Sequence, residues 1–129
     1  MVLLPIHEHL HALAYRFVGA PSVSVRYELR RMTALCVAPG QVVAGPDFAL
    51  VCLAPLVVLN PLLAVLTFAL PTGPLALMLT GALLAHTGAC SGDVSFLQFL
   101  WSQRRHQVFT FDDISHQLTF FYRAKTPVA

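Results

Sequence analysis

FALVCLAPLVVLNPLLAVLTFAL, residues 48–70, runs for 23 positions without a charge. About 20 apolar residues cross a bilayer as a helix, so this stretch decides the fold and predicts a membrane protein. Pro55 and Pro61 predict kinks, which spans tolerate where neighbouring helices cover the freed carbonyls. Asn60 puts one amide near the middle. Pro71-Thr72-Gly73-Pro74 then makes a tight break, and residues 75–101 form another long apolar segment. Its Gly81, Gly88 and Gly92 stand among Ala, Thr and Ser, small residues that let helices approach closely. On the other side, residues 21–47 are a more polar connection, and residues 1–18 are a third apolar segment ending at Gly19-Ala20-Pro21. Residues 102–129 are a polar tail.

Composition agrees with this division. The chain has 129 residues, enough for one domain. Only 11% are charged, against roughly 25% in soluble domains, and the mean hydropathy is +0.69. The net charge of +2 and the lack of a basic run interleaved with aromatics exclude nucleic acid as a partner. Cys36, Cys52 and Cys90 form no CxxC pair and read as reduced packing cysteines. No cleavable signal peptide is expected, since no basic n-region precedes the first apolar stretch.

The expected fold is therefore a mainly α membrane protein with about three transmembrane helices, at 1–18, 48–70 and 75–101, in a single membrane-embedded domain. Val23, Val25 and Tyr27 alternate with Ser24, Arg26 and Glu28, a period-two strand pattern. Thr33–Val37 reads as a second strand, and Gln117–Arg123 as a strand in the tail. Together they predict a small β element at the membrane surface.

Lys and Arg give a topology. Arg16, Arg26, Arg30 and Arg31 lie at the end of the first segment or in the connection; Arg104, Arg105, Arg123 and Lys125 lie in the tail. If all three segments cross, both sets fall on one side, and the positive-inside rule makes residues 19–47 and 102–129 cytoplasmic. The expected location is a bacterial plasma membrane, with membrane lipid as a partner and a second copy as an open one.

Among the acids, only Glu8 and Asp93 stand inside apolar segments. A charge in a span costs at least about 2.5 kcal/mol on the insertion scale and usually faces a partner in the bundle. Glu8 belongs to His7-Glu8-His9-Leu10-His11, an HExxH motif. Positions i and i+4 share a helix face, so His7 and His11 can hold one metal ion, with Glu8 placed to take a proton from water. His11 and Asp93 both fall roughly 10–12 Å from the cytoplasmic ends of their segments at the helical rise. Asp93 is thus the expected third ligand, in a two-histidine, one-carboxylate set suited to zinc.

The other polar residues weigh less. His9 leaves the His7–His11 face and is expected to support a ligand or contact another helix. His86, seven residues before Asp93, could orient a ligand, and an interhelical histidine is an equal reading. Asn60 and Thr67 read as helix–helix contacts, His106 and His116 as solvated, and Asp112-Asp113 as a turn feature.

His7 to Ala14 resembles the metal-binding helix of a bacterial membrane family of zincin-type peptidases, a domain of unknown function. Gly88-Ala89-Cys90-Ser91-Gly92-Asp93 resembles that family's second hallmark, a small-residue run ending in Gly-Asp. Phe111-Asp112-Asp113 and Thr119-Phe120-Phe121-Tyr122-Arg123 resemble its C-terminal strand region. The family is similar in plan to site-two intramembrane metalloproteases. The resemblance implies Zn2+ on His7, His11 and Asp93, Glu8 as general base, and a peptide or membrane protein as substrate near the cytoplasmic face. Only Met1–Ile6 precede the motif, fewer residues than such proteins usually carry. The alternative expectation is a non-catalytic membrane protein, from a shortened gene, that retains the metal site.

Overall fold

The computed structural model describes residues 3–28, 33–113 and 118–124. Arg30, Arg31, His116, Gln117 and Lys125 lie outside the described residues. Helix α1 (Leu3–Phe17) leads to strands β1 (Ser24–Glu28), β2 (Thr33–Val37) and β3 (Val42–Ala44). Helices α2 (Gly45–Ala69), α3 (Pro74–Ala89) and α4 (Ser91–Ser102) follow, then β4 (Val108–Asp113) and β5 (Leu118–Arg123).

Local chemistry sets the helix ends. Gly19 takes φ 88°, a left-handed conformation that glycine adopts without Cβ strain. Its N–H donates to Arg16 O at 3.1 Å, and the Ala20 N–H donates to Tyr15 O at 2.9 Å. This is the Schellman pattern, and it closes α1 with Ala20 packed beside Tyr15 in the core. Pro46 and Pro74 sit in the first turns of α2 and α3, where a missing N–H costs nothing.

β1 and β2 pair antiparallel, Val25 facing Cys36. β3, β4 and β5 form a separate antiparallel sheet in that order. The residue pattern predicts β1, β2 and the whole of β5; it does not predict β3, and only the resemblance at Phe111–Asp113 points to β4. Gly45 lets α2 start hard against that sheet, because a Cβ there would stand 3.0 Å from Val108 O.

Three transmembrane helices are not supported. By length and composition, one helix among the described residues, α2, can cross a membrane. α3 and α4 qualify only together, as one span bent by 41°. The expected single helix over 75–101 is broken at Cys90, where ψ is near 0°. Gly88, Ser91 and Gly92 surround the break, and Gly and Ser favour helix ends over helix interiors. α1, at 15 residues, is shorter than the roughly 17-residue minimum for a span.

The apolar core lies where α1, α2 and the sheets meet. It contains Tyr15, Ala20, Ala38, Val43, Phe48, Val51 and Cys52. Phe48 is its hub, with ring centroids 6.4 Å from Tyr15, 5.7 Å from Phe96 and 6.0 Å from Phe121. The helices invert the usual pattern outside this core. α1 buries His7, Glu8 and His11 while Leu13 is 63% and Phe17 87% exposed. α3 buries a single residue, His86.

Candidate metal centre

α1 delivers the motif on one face. His7, Glu8, His11, Ala12 and Tyr15 are its buried residues, one stripe at helical spacing. Asp93 comes from the first turn of α4, just past the break at Cys90. That break turns the α4 N-terminus and brings the Asp93 carboxylate beside α1. His7 Nε2 lies 3.4 Å from Asp93 Oδ2, and His11 Nε2 lies 3.4 Å from Asp93 Oδ1. The two Nε2 atoms are 3.0 Å apart. His7, His11 and Asp93 thus form one of two groups able to hold a metal ion among the described residues.

The donor set fits zinc. Four-coordinate zinc with bonds of about 2.0–2.1 Å places neighbouring ligand atoms about 3.3–3.4 Å apart. The two histidine–aspartate gaps of 3.4 Å match that spacing, and the 3.0 Å gap between the histidines is shorter than it by about 0.3–0.4 Å. Orientation fits as well. His11 Nδ1 donates to Val51 O at 2.8 Å, so the His11 Nε2 lone pair is left facing the centre, the usual arrangement for a ligating imidazole.

Glu8 is buried beside this group, 5% exposed. The Cys36 backbone N–H of β2 donates to its carboxylate. Burial pushes the Glu8 carboxyl above the usual range, against the pull of His11 and His7. Such a carboxylate is a better proton acceptor than an exposed one. Burial also pushes the neighbouring Cys36 thiol up to about 12, so it stays protonated and is a poor nucleophile.

A cleft of about 210 Å³ opens over the cluster, with Ala34, Leu35 and Cys36 of β2 on one wall and Phe96 on another. It has room for a side chain or two, not for a folded helix. Asp112 also lines it. Asp112 accepts hydrogen bonds from the Ala38 N–H at 3.0 Å, the Thr119 hydroxyl at 2.8 Å and the Tyr15 hydroxyl at 3.4 Å.

The structure corrects several expectations. Asp112 is no turn residue: it sits in β4 and joins α1, the end of β2, and β5. The alternation of β4, which buries Val108, Thr110 and Asp112, carries that signal in sequence. His9 turns away from the cluster. Its Nδ1 donates to Pro5 O at 2.7 Å and lies 3.2 Å from the Tyr27 hydroxyl, so it links α1 to β1. His86 does meet a member of the cluster, with Nε2 3.1 Å from His7 Nδ1. Asn60 contacts His86 and Thr87, and the Thr67 hydroxyl donates within its own helix, to Leu63 O.

An HExxH helix with its carboxylate buried, and an aspartate beside both histidines, is a donor arrangement suited to a zinc peptidase. Residues 1–108 match the family model described as "Putative zincin peptidase", and the chain belongs to that family. Comparison with curated proteins gives no match, and neither does comparison with solved structures. Membership implies a zinc cofactor and a peptide-hydrolysing activity.

Proposed function

We propose that the chain is a membrane-embedded zinc endopeptidase, with His7, His11 and Asp93 as ligands and Glu8 as general base. The observation that carries this reading is the convergence of both Nε2 atoms and the Asp93 carboxylate beside a buried Glu8. Zinc held there would supply Lewis acidity, making a water more acidic and a peptide carbonyl more electrophilic. Glu8 accepts the proton from the attacking water. It then returns that proton to the leaving amine nitrogen, so the carboxylate ends as it began. The Cys36 N–H holds Glu8 in place for both transfers.

The substrate reading follows from the cleft. Among the described residues β2 has β1 as its one strand neighbour, and its residues 34–36 line the cleft. An extended peptide can add to the second edge of β2 with its backbone beside Glu8. A helical substrate, with its carbonyls already bonded, must first unwind.

The membrane reading rests on α2. Its outward residues Leu50, Val57, Leu62 and Val65 are more than half exposed, an arrangement that suits lipid rather than water. α2 and the bent α3–α4 pair cross, leaving residues 19–47 and 102–129, with seven of the eight Lys and Arg, on the cytoplasmic side. Val51, which holds His11, lies about 9 Å into α2 from Gly45 at the helical rise. Cleavage is then near the cytoplasmic face. Purified, zinc-loaded protein in detergent should cut an unstructured peptide, and Glu8→Gln should not. Equal cleavage by both would refute the proposal.

A further inference from the structure

Behind His7, a line of polar side chains crosses three helices. His7 Nδ1 of α1 meets His86 Nε2 of α3 at 3.1 Å. His86 Nδ1 meets Asn60 Oδ1 of α2 at 2.6 Å. Asn60 Nδ2 meets the Thr87 hydroxyl at 3.1 Å, and that hydroxyl donates to Leu83 O at 2.8 Å. No buried side-chain polar atom among the described residues lacks a partner.

The far end sets the direction of the whole line. A hydroxyl has one proton, and Thr87 spends it on the Leu83 carbonyl, its shorter contact. Thr87 Oγ1 can then only accept, so the Asn60 NH₂ faces it and Asn60 Oδ1 faces His86. His86 must carry its proton on Nδ1, leaving Nε2 as an acceptor. His7 must in turn carry its proton on Nδ1. The result is a bare lone pair on His7 Nε2, aimed at His11 and Asp93. The reverse polarity would put a proton on His7 Nε2, where it would bond Asp93 and block a metal ion.

We infer that His86, Asn60 and Thr87 are positioning residues, a one-way hydrogen-bond relay that fixes His7 in the tautomer able to bind metal through Nε2. The inference rests on the proposed role of His7 as a ligand. Partners of this kind change metal affinity by about 10–100-fold. The relay also explains two otherwise costly polar groups in apolar helices: the His86 ring is the one side chain α3 buries, and the Asn60 amide stands mid-helix in α2.

The test is zinc affinity of the full chain in detergent, by competition with a chelator, beside the thermal stability of the metal-free protein. Asn60→Leu and His86→Phe should each weaken zinc about 10–100-fold. Asn60→Asp keeps an oxygen facing His86 Nδ1 and should bind within a few-fold of wild type. If Asn60→Leu does not accumulate as folded protein, Thr87→Val removes the hydroxyl with little change of shape and should weaken zinc in the same direction, with Thr87→Ser restoring it. Wild-type affinity in the Leu and Phe variants would overturn the relay and leave the proposed peptidase standing. Equal weakening by Asn60→Leu and Asn60→Asp would also overturn it, by showing a packing role. A second equivalent of zinc, lost with Cys90→Ser, would mean that His7, His86 and Cys90 hold a metal themselves, which the relay forbids. Wild type that binds no zinc would remove the peptidase reading and the relay with it.

Discussion

Two neighbouring regions of the molecule are built on opposite terms. Around Phe48, α1, α2 and the sheets bury rings and aliphatic groups against one another. One turn or two away, α1 buries His7, Glu8 and His11, with Asp93 of α4 half-buried against them, and leaves Leu13 outside. The first region is stabilised by apolar area removed from water, roughly 25 cal/mol for each Å². The second gains little from area and carries the cost of desolvating ionisable groups, which a protein tolerates only when they are paired or coordinate a metal. The difference separates what holds the chain together from what the chain is for.

That contrast can be broken from either side. Glu8→Gln touches only the polar region. Loss of the general base should lower peptide hydrolysis by about 10²–10⁴-fold while zinc stays bound; a smaller loss would assign the base to another group. Phe48→Ala removes the hub of the apolar region and also opens one wall of the cleft. It should cost about 3–5 kcal/mol of stability, read by denaturant unfolding, with zinc still bound in the fraction that folds. Val57→Arg places a charge on the exposed face of α2, near its middle. It should disfavour membrane insertion by about 2.5–3.5 kcal/mol, measured as the inserted fraction; unchanged insertion would argue that this face does not meet lipid. Gly19→Ala forces a Cβ into a left-handed turn and should cost about 1–2 kcal/mol without altering zinc affinity.

The two regions also differ in how far the sequence reveals them. Glu8 and Asp93 declare themselves because acids are conspicuous in apolar segments, and His7 and His11 because i and i+4 share a face. α2 is legible from its length and lack of charge. The span count is not, because apolar length says nothing of where a helix bends: the run 75–101 is continuous in composition but divides at Cys90. β3 and β4 escape the residue pattern because Val42–Ala44 is too short for a period, and Asp112 looks like a turn residue until its place on the buried face of β4 is known. The relay is the least legible feature. Its three helices are adjacent only after folding, and Asn60 alone reads as an ordinary interhelical amide.

The central claim is that His7, His11 and Asp93 hold one zinc ion, and metal content tests it most directly. Wild-type protein dialysed against excess zinc and then freed of loose metal should retain one equivalent per chain. Asp93→Ala, shown to be folded by the same thermal melt as metal-free wild type, should retain essentially none. Equal zinc in both proteins, or none in wild type, would contradict the account.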